Sequence, residues 1–164
     1  MASGITHERI NNALALPLVL GIIAITEKLF GGENVFSIVF YSIIGYVIGT
    51  FFLSPDLDIL SRPYNRWGFL KFIWNPYQKL FSHRSFFTHS LVISDLIRVL
   101  YLSIFIAIVA SLISKKNVII MYYNILVFIA TDQRVRFFLV GVILASAVHI
   151  ITDYLSSLKN RIKK

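Results

Sequence analysis

The residues of this chain that could do chemistry are its four histidines together with three of its aspartates. His149 and Asp153 lie four residues apart, so both project from one face of a helix. Asp56 and Asp58 are two positions apart. In an extended segment this spacing places both carboxylates on one side, which suits a pair that bridges two ions. Neutral imidazole and carboxylate are ligand types that suit zinc, manganese or iron. The chain has no cysteine, so thiolate ligands, disulfides and a cysteine nucleophile are excluded.

These side chains are predicted to form a metal centre, although each has an ordinary alternative. Two histidines in a basic loop are usually only solvated, and an aspartate pair after a proline can be a simple turn. The prediction therefore depends on convergence of the whole set. Seven ligands exceed the four of one tetrahedral zinc, and a two-metal centre, with ions roughly 3.5–4 Å apart, would use them naturally. The predicted ligands are His7, Asp56, Asp58, His83, His89, His149 and Asp153.

Long apolar stretches must position this set. Four of them approach the ~20 residues that cross a bilayer, and they cover residues 10–30, 35–53, 91–114 and 137–155. Asp95 and Arg98, three residues apart in the third stretch, could pair with each other or serve the polar site. A fifth apolar stretch, Val118–Thr131, has only 14 residues and suits an interfacial or re-entrant helix. We expect an all-α integral membrane protein with four transmembrane helices in a single domain, residues 1–164.

The composition agrees with a membrane protein. Hydrophobic residues make up 57% of the chain and charged residues 15%, against about 25% charged in soluble domains. The formal net charge is nevertheless +8. Anionic lipid headgroups suit this excess in a membrane chain, at roughly 1 kcal/mol per nearby Lys or Arg. We therefore expect lipids as partners and no nucleic acid.

A four-helix topology sets the side on which the histidines lie. Both chain ends and the 55–90 segment share one side, so all four histidines fall on it or just inside it. That side carries ten basic residues against five on the other, which favours a cytoplasmic or stromal face. We expect the inner or plasma membrane, or the thylakoid in a photosynthetic source, with both termini cytoplasmic or stromal.

The 55–90 segment interleaves aromatic and basic residues. Tyr64, Trp67, Trp74 and Tyr77 predict a segment that lies at the level of the lipid headgroups. It is interpreted as an aromatic anchor, or alternatively as a lid over the site. Three arginines are candidates for contact with an anion or a headgroup, or serve only as interface anchors: Arg62, Arg66 and Arg84. Ser85, Thr88 and Thr152 are candidate hydrogen-bond partners of the ligands.

Several of these motifs recur together in a known family. They are Met1-Ala-Ser-Gly-Ile-Thr-His7, Ser54-Pro-Asp-Leu-Asp58, Tyr64-Asn-Arg-Trp-Gly68, Trp74-Asn-Pro-Tyr77 and His83-Arg-Ser-Phe-Phe-Thr-His89. In that order they resemble a family of predicted metal-binding multi-pass membrane proteins of unknown function. That family is similar to a group named membrane-bound metal-dependent hydrolases. The resemblance covers about residues 1–102 and the short His149–Asp153 motif, and it implies the same seven metal ligands.

Two functions of different classes follow from these predictions. The first is a metal-dependent hydrolase of phosphoester or lipid substrates at the membrane face, with one or two divalent ions, zinc first and manganese or iron as alternatives. The second is a non-catalytic subunit or assembly factor of a larger membrane complex, with a structural metal. Transport of metal or protons is disfavoured, because the 35–53 stretch has no polar residues beyond Ser, Thr and Tyr.

Overall fold

The computed structural model describes residues 4–30, 35–83 and 85–162. They form eight α-helices and two short 3-10 helices, and no strand occurs among them. The 3-10 helices are Pro55–Asp58 and Gly68–Trp74. The α-helices are α1 (Gly4–Phe30), α2 (Val35–Phe51), α3 (Arg62–Arg66), α4 (Asn75–Leu80), α5 (Phe86–His89), α6 (Ile93–Ser114), α7 (Val118–Thr131) and α8 (Gln133–Ile162).

Four helices are long and apolar enough to cross a membrane. Their apolar stretches are Ile5–Ile25, Val35–Asp58, Ile93–Ser114 and Gln133–Lys159. The prediction of an all-α fold with four such stretches is therefore confirmed, while the sidedness of the spans stays a prediction. The helix ends differ from the predicted ones. The α1 helix begins at Gly4 rather than at residue 10, so His7 lies inside it rather than before it.

The contact between α2 and α8 organises the bundle, and it is the most extensive helix–helix contact in the described chain. The two helices run in the same direction and approach so closely that a side chain would not fit between them. A Cβ on Gly45 would lie 1.9 Å from the carbonyl oxygen of Phe138, and one on Gly141 would lie 2.0 Å from that of Ser42. Small residues allow such close backbone approach in membrane helices. The crossing brings the end of α2 beside the middle of α8, where Gly49 lies against Val142 and Ala145.

The 55–90 segment packs inward through its aromatic residues, which differs from the sequence prediction. Trp74 and Tyr77 are fully buried and Tyr64 nearly so, and they form one cluster with residues at the end of α2 and on α8. Burial raises the pKa of Tyr77 to about 12. The hydroxyl of Tyr101 on α6 donates to the carbonyl of Ile73 and ties the segment to that helix. Tyr64, Trp74 and Tyr77 are therefore core residues rather than surface anchors, whereas Phe69 and Phe72 of the same segment are exposed.

The α7 helix has the bounds predicted from its apolar run, and none of its residues is buried. It is about 21 Å long at 1.5 Å per residue, shorter than the ~30 Å hydrocarbon core. Lys115, in the left-handed conformation, ends α6, and the Asn117 side chain caps α7 by accepting from the amide of Ile119 at 2.8 Å. Between α7 and α2, α6 and α8 lies an almost wholly apolar cavity of about 620 Å³.

Candidate metal centre

Five separate parts of the fold supply the seven predicted ligands, all near the C-terminal end of α2. The α1 helix supplies His7, and α8 supplies two residues one turn apart. The 3-10 helix after α2 supplies the two aspartates of the Ser54–Asp58 motif. This short helix corrects the prediction of an extended segment there, yet both carboxylates still reach the cluster. The remaining two ligands come from the turn before α5 and from the end of α5.

Three of these residues, which we call the inner group, are held by the long helices α1 and α8. The inner group is His7, His149 and Asp153, and one candidate ligand atom of each lies within 4.8 Å of the others. His7 Nε2 lies 3.1 Å from Asp153 Oδ1. The rings of His7 and His149 stack, with centroids 3.9 Å apart and planes inclined by 18°. The three side chains are between 3% and 11% exposed, so this group is closed off by protein.

Three others, which we call the outer group, come from the short elements. The outer group is Asp56, His83 and His89, and one candidate ligand atom of each again lies within 4.8 Å of the others. The His83 side chain is 30% exposed, the largest fraction among the seven. The rings of His83 and His89 meet edge to face, with centroids 5.3 Å apart. This group is open to its surroundings at His83.

Asp56 of the 3-10 helix joins the two groups into one cluster, and Asp58 lies beside the outer group. Asp56 Oδ1 lies 3.3 Å from Nε2 of His149 in the inner group and 4.0 Å from Nε2 of His89 in the outer group. Asp58 Oδ1 lies 3.0 Å from Nδ1 of His83, and its Oδ2 lies 3.8 Å from Nδ1 of His89. The structure thus brings all seven predicted residues together, and Asp56 lies between the two groups.

Several buried atoms of this cluster make no hydrogen bond among the described residues. They are Nδ1 of His7, Oδ2 of Asp58, Nε2 of His89 and Nε2 of His149. A buried polar atom left without a partner costs roughly 1–3 kcal/mol, so four in one place call for an electron-pair acceptor. A divalent cation is such an acceptor, and imidazole nitrogens with carboxylate oxygens form a donor set that transition metals favour. The residues present therefore fit a metal ion.

The protonation of His89 agrees with this fit. Burial lowers the pKa of His89 to about 4, and the nearby Asp58 carboxylate opposes that shift only in part. The imidazole is therefore neutral at pH 7, which is the form that binds a metal.

Hydroxyl groups lie near the histidines, and the three predicted hydrogen-bond partners differ in what they contact. Thr88 Oγ1 lies 3.0 Å from Nδ1 of His89, while Ser85 contacts Thr88 at 3.3 Å rather than a ligand. Thr152 donates to the backbone of its own helix. Sequence reasoning missed Ser54, whose Oγ lies 3.5 Å from Nδ1 of His149. Its position directly before Pro55-Asp56 was the available signal.

The predicted anion contacts are partly occupied by an acidic residue that the sequence reasoning had not used. Glu8 on α1 pairs with Arg66 at 2.8 Å and with Arg62 at 3.3 Å. Arg62 remains 50% exposed and is the freer of the two cations. Arg84, the third predicted contact, lies outside the described residues. The Glu8 pairs hold the first turns of α1, and therefore His7, against α3.

Comparison with known proteins bears on metal binding and not on a reaction. A protein family described as "Uncharacterized metal-binding protein (DUF2227)" matches residues 2–163. An uncharacterized protein of Aquifex aeolicus (strain VF5) is 50% identical over 60 residues, which is 36% of this chain and 42% of that protein. The match thus spans less than half the length of that relative. No solved structure matches the chain.

Proposed function

This chain belongs to the uncharacterized metal-binding protein family (DUF2227), and on that premise we propose that its seven clustered residues hold two divalent transition-metal ions. The observation that carries the proposal is the continuous cluster of four imidazoles and three carboxylates, with four buried nitrogen and oxygen atoms that make no hydrogen bond among the described residues. Zinc is the first choice, because it accepts mixed nitrogen and oxygen ligands. Manganese and iron suit the same donors.

The arrangement of the ligands supports two ions better than one. A single tetrahedral zinc uses four protein ligands, whereas two groups of three residues stand side by side here. Asp56 is within 4.0 Å of a histidine from each group. A carboxylate in that position would serve as a ligand to an ion held by either group. Asp58 completes the outer group, because its two oxygens lie beside His83 and His89.

We further propose that the centre hydrolyses a phosphoester or lipid ester at the membrane face. Two bound divalent ions supply an activated water and stabilise charge on the scissile group. The exposure of His83 supports access to the outer group from outside the bundle. The guanidinium of Arg62, half exposed and on the same end of the bundle, suits a phosphate that approaches the centre. The closed inner group would hold its ion away from solvent.

The sidedness of the site follows from the same proposal. With four crossings, both chain ends and the metal centre lie on one face, which we assign to the cytoplasm or stroma. Basic residues of the 55–90 segment, including Lys71 and Lys79, are on this face. They suit contact with anionic headgroups, at roughly 1 kcal/mol each.

A second candidate is a non-catalytic subunit or assembly factor in a larger membrane complex. The observation that favours it is α7, a 14-residue apolar helix with no buried residue, beside an apolar cavity of about 620 Å³. Such a lateral surface suits a protein partner as well as lipid. In this case both ions are structural, and neither exchanges readily.

The first test is the metal content of the protein purified in mild detergent, measured by mass spectrometry. We expect two ions per chain, and loss of both in a His149→Ala, Asp58→Ala double variant. Asp132→Ala is the matched control, because Asp132 pairs with Arg134 at the α7–α8 turn, away from the cluster. No stoichiometric metal in the wild-type protein would overturn the metal centre.

The second test separates the two functions. Wild type and His83→Ala are assayed on phosphomonoester, phosphodiester and carboxylic-ester probes in mixed micelles. Hydrolysis by the wild type that is lost in His83→Ala, with the inner ion retained, supports the hydrolase. A metal-loaded wild type that is inactive on every probe and purifies with a stoichiometric protein partner supports the second candidate.

A further inference from the structure

Asp95 and Arg98 form a buried charged pair at the start of α6, a helix that supplies none of the proposed ligands. Arg98 is 0% and Asp95 1% exposed. The guanidinium donates to the Asp95 carboxylate, and this confirms that the two residues pair. Ser146 on α8 closes a triangle, because its hydroxyl donates to Asp95 Oδ1 at 2.7 Å and accepts from Arg98 at 3.1 Å. The trio ties α6 to α8.

Stability alone does not account for this trio. Replacing a buried ion pair by apolar residues of similar size is often neutral or stabilising. The planar guanidinium instead offers several donors in a fixed geometry. Arg98 also makes a hydrogen bond outside the trio. Its Nη1 donates to the carbonyl of Thr88 on α5 at 3.2 Å. The trio therefore fixes α5, the helix that ends at His89.

Thr88 passes this constraint to the neighbouring imidazole. It is fully buried, and its hydroxyl lies 3.0 Å from Nδ1 of His89. The carbonyls of Ser85 and Ser82 lie 3.3 and 3.4 Å from the same hydroxyl. A hydroxyl has one proton to give and two lone pairs. With carbonyl acceptors in reach, the proton goes to one of them and the oxygen accepts from Nδ1–H of His89.

That hydrogen bond decides which nitrogen of His89 carries a free electron pair. If Nδ1 is protonated, the lone pair is on Nε2. Nε2 of His89 is buried, makes no hydrogen bond, and lies 4.0 Å from Oδ1 of Asp56. It therefore points its lone pair to the region where the two ligand groups meet.

We propose that Arg98, held by Asp95 and Ser146, is a positioning residue that sets the metal-binding nitrogen of His89 through Thr88. This inference rests on the proposed metal centre and adds the device that orients one of its ligands. In metalloproteins, a ligating histidine commonly gives its other N–H to such a partner, and loss of the partner weakens metal binding by about 10–100-fold.

The test uses variants of Thr88 that keep its shape. Thr88→Val removes the hydroxyl, Thr88→Ser retains it, and Thr50→Val is the matched control at a buried threonine whose hydroxyl makes no hydrogen bond among the described residues. We expect Thr88→Val to bind the outer ion about 10–100-fold more weakly. Thr88→Ser and Thr50→Val are expected to match the wild type. The absorption spectrum of the cobalt-loaded protein should change in Thr88→Val only.

Variants of the trio extend the test. Ser146→Ala should weaken the outer ion, with Ser103→Ala as control, because buried Ser103 on α6 bonds only to the Leu100 carbonyl among the contacts described for its hydroxyl. Arg98→Lys should restore part of the affinity lost in Arg98→Gln. If the Arg98 variants fail to fold, the Thr88 series still decides. If the wild type binds metal, and Thr88→Val binds it with equal affinity and an unchanged spectrum, this inference alone is overturned. If the wild type binds no metal, the proposed function itself is overturned.

Discussion

The inner and outer ligand groups have similar chemistry but very different support. The inner group of His7, His149 and Asp153 stands on α1 and α8, which are 27 and 30 residues long. The outer group stands on a four-residue 3-10 helix, a turn and the end of a four-residue α-helix. Long packed helices fix side-chain positions by themselves, whereas short elements open more easily and depend on hydrogen bonds such as those around Thr88. On the proposed two-ion centre, we therefore expect the inner ion to be held firmly and the outer ion to exchange more readily.

The largest expected effect comes from the residue that belongs to both groups. Asp56→Ala removes the carboxylate between His149 and His89. We expect both ions to bind more weakly by over about 100-fold, since even indirect partners of a ligand contribute 10–100-fold. Metal titration with a competing chelator measures this loss. If only one ion is lost, Asp56 is a ligand of one group and does not serve both.

The next-largest effect tests whether the packing of α2 against α8 supports the inner group. Gly141→Ala puts a Cβ 2.0 Å from the carbonyl oxygen of Ser42, so α2 and α8 must separate. We expect the free energy of unfolding to fall by about 1–3 kcal/mol, with weaker metal binding, as measured by denaturant titration in detergent. Gly21→Ala is the control, because its Cβ meets no atom within 4 Å. Equal stability of the two variants would contradict the close crossing.

A smaller effect separates the exchange rates of the two ions. His83→Ala removes the exposed ligand of the outer group, and His7→Ala removes a buried ligand of the inner group. In the wild type we expect a chelator to withdraw one ion rapidly and the other slowly. His83→Ala should lose the rapid phase and keep the slow one, and His7→Ala should do the reverse. Loss of both phases in either variant would mean that the two groups act as one unit.

The smallest effect concerns the attachment of α1. Glu8→Gln weakens the pairs with Arg62 and Arg66, which are partly exposed and together worth about 0–1 kcal/mol. We expect the slow ion to leave at most about fivefold faster, since His7 follows the position of α1. Asp132→Asn, which alters an ion pair at the α7–α8 turn, is the matched control. A change of the rapid phase instead would link α1 to the outer group.

The parts of this fold that sequence predicts best are those with a local pattern. Hydropathy gives the four long helices and the bounds of α7, and the spacing of His149 and Asp153 places both on one helix face. Convergence of the seven polar residues was also predicted, because a chain with four crossings would place them on one side.

What sequence could not give depends on contacts between distant residues. Trp74 and Tyr77 look like residues of a membrane surface, since composition does not distinguish an aromatic ring that faces lipid from one that packs on a neighbouring helix. The inner group joins His7 to Asp153 across 146 positions. Ser146 completes the Arg98 trio from 48 residues away. No local pattern encodes pairings of this range.

The separation of His7 and Asp153 along the chain also has a consequence for biosynthesis. Translation produces α1 first and α8 last, and the inner group needs both. Asp56 is made early and waits without His149, its partner on α8, while the ribosome adds nearly a hundred further residues. On the proposed centre, the inner group can therefore be completed only after α8 is made, and a nascent chain stopped before residue 149 offers an ion only part of the seven ligands.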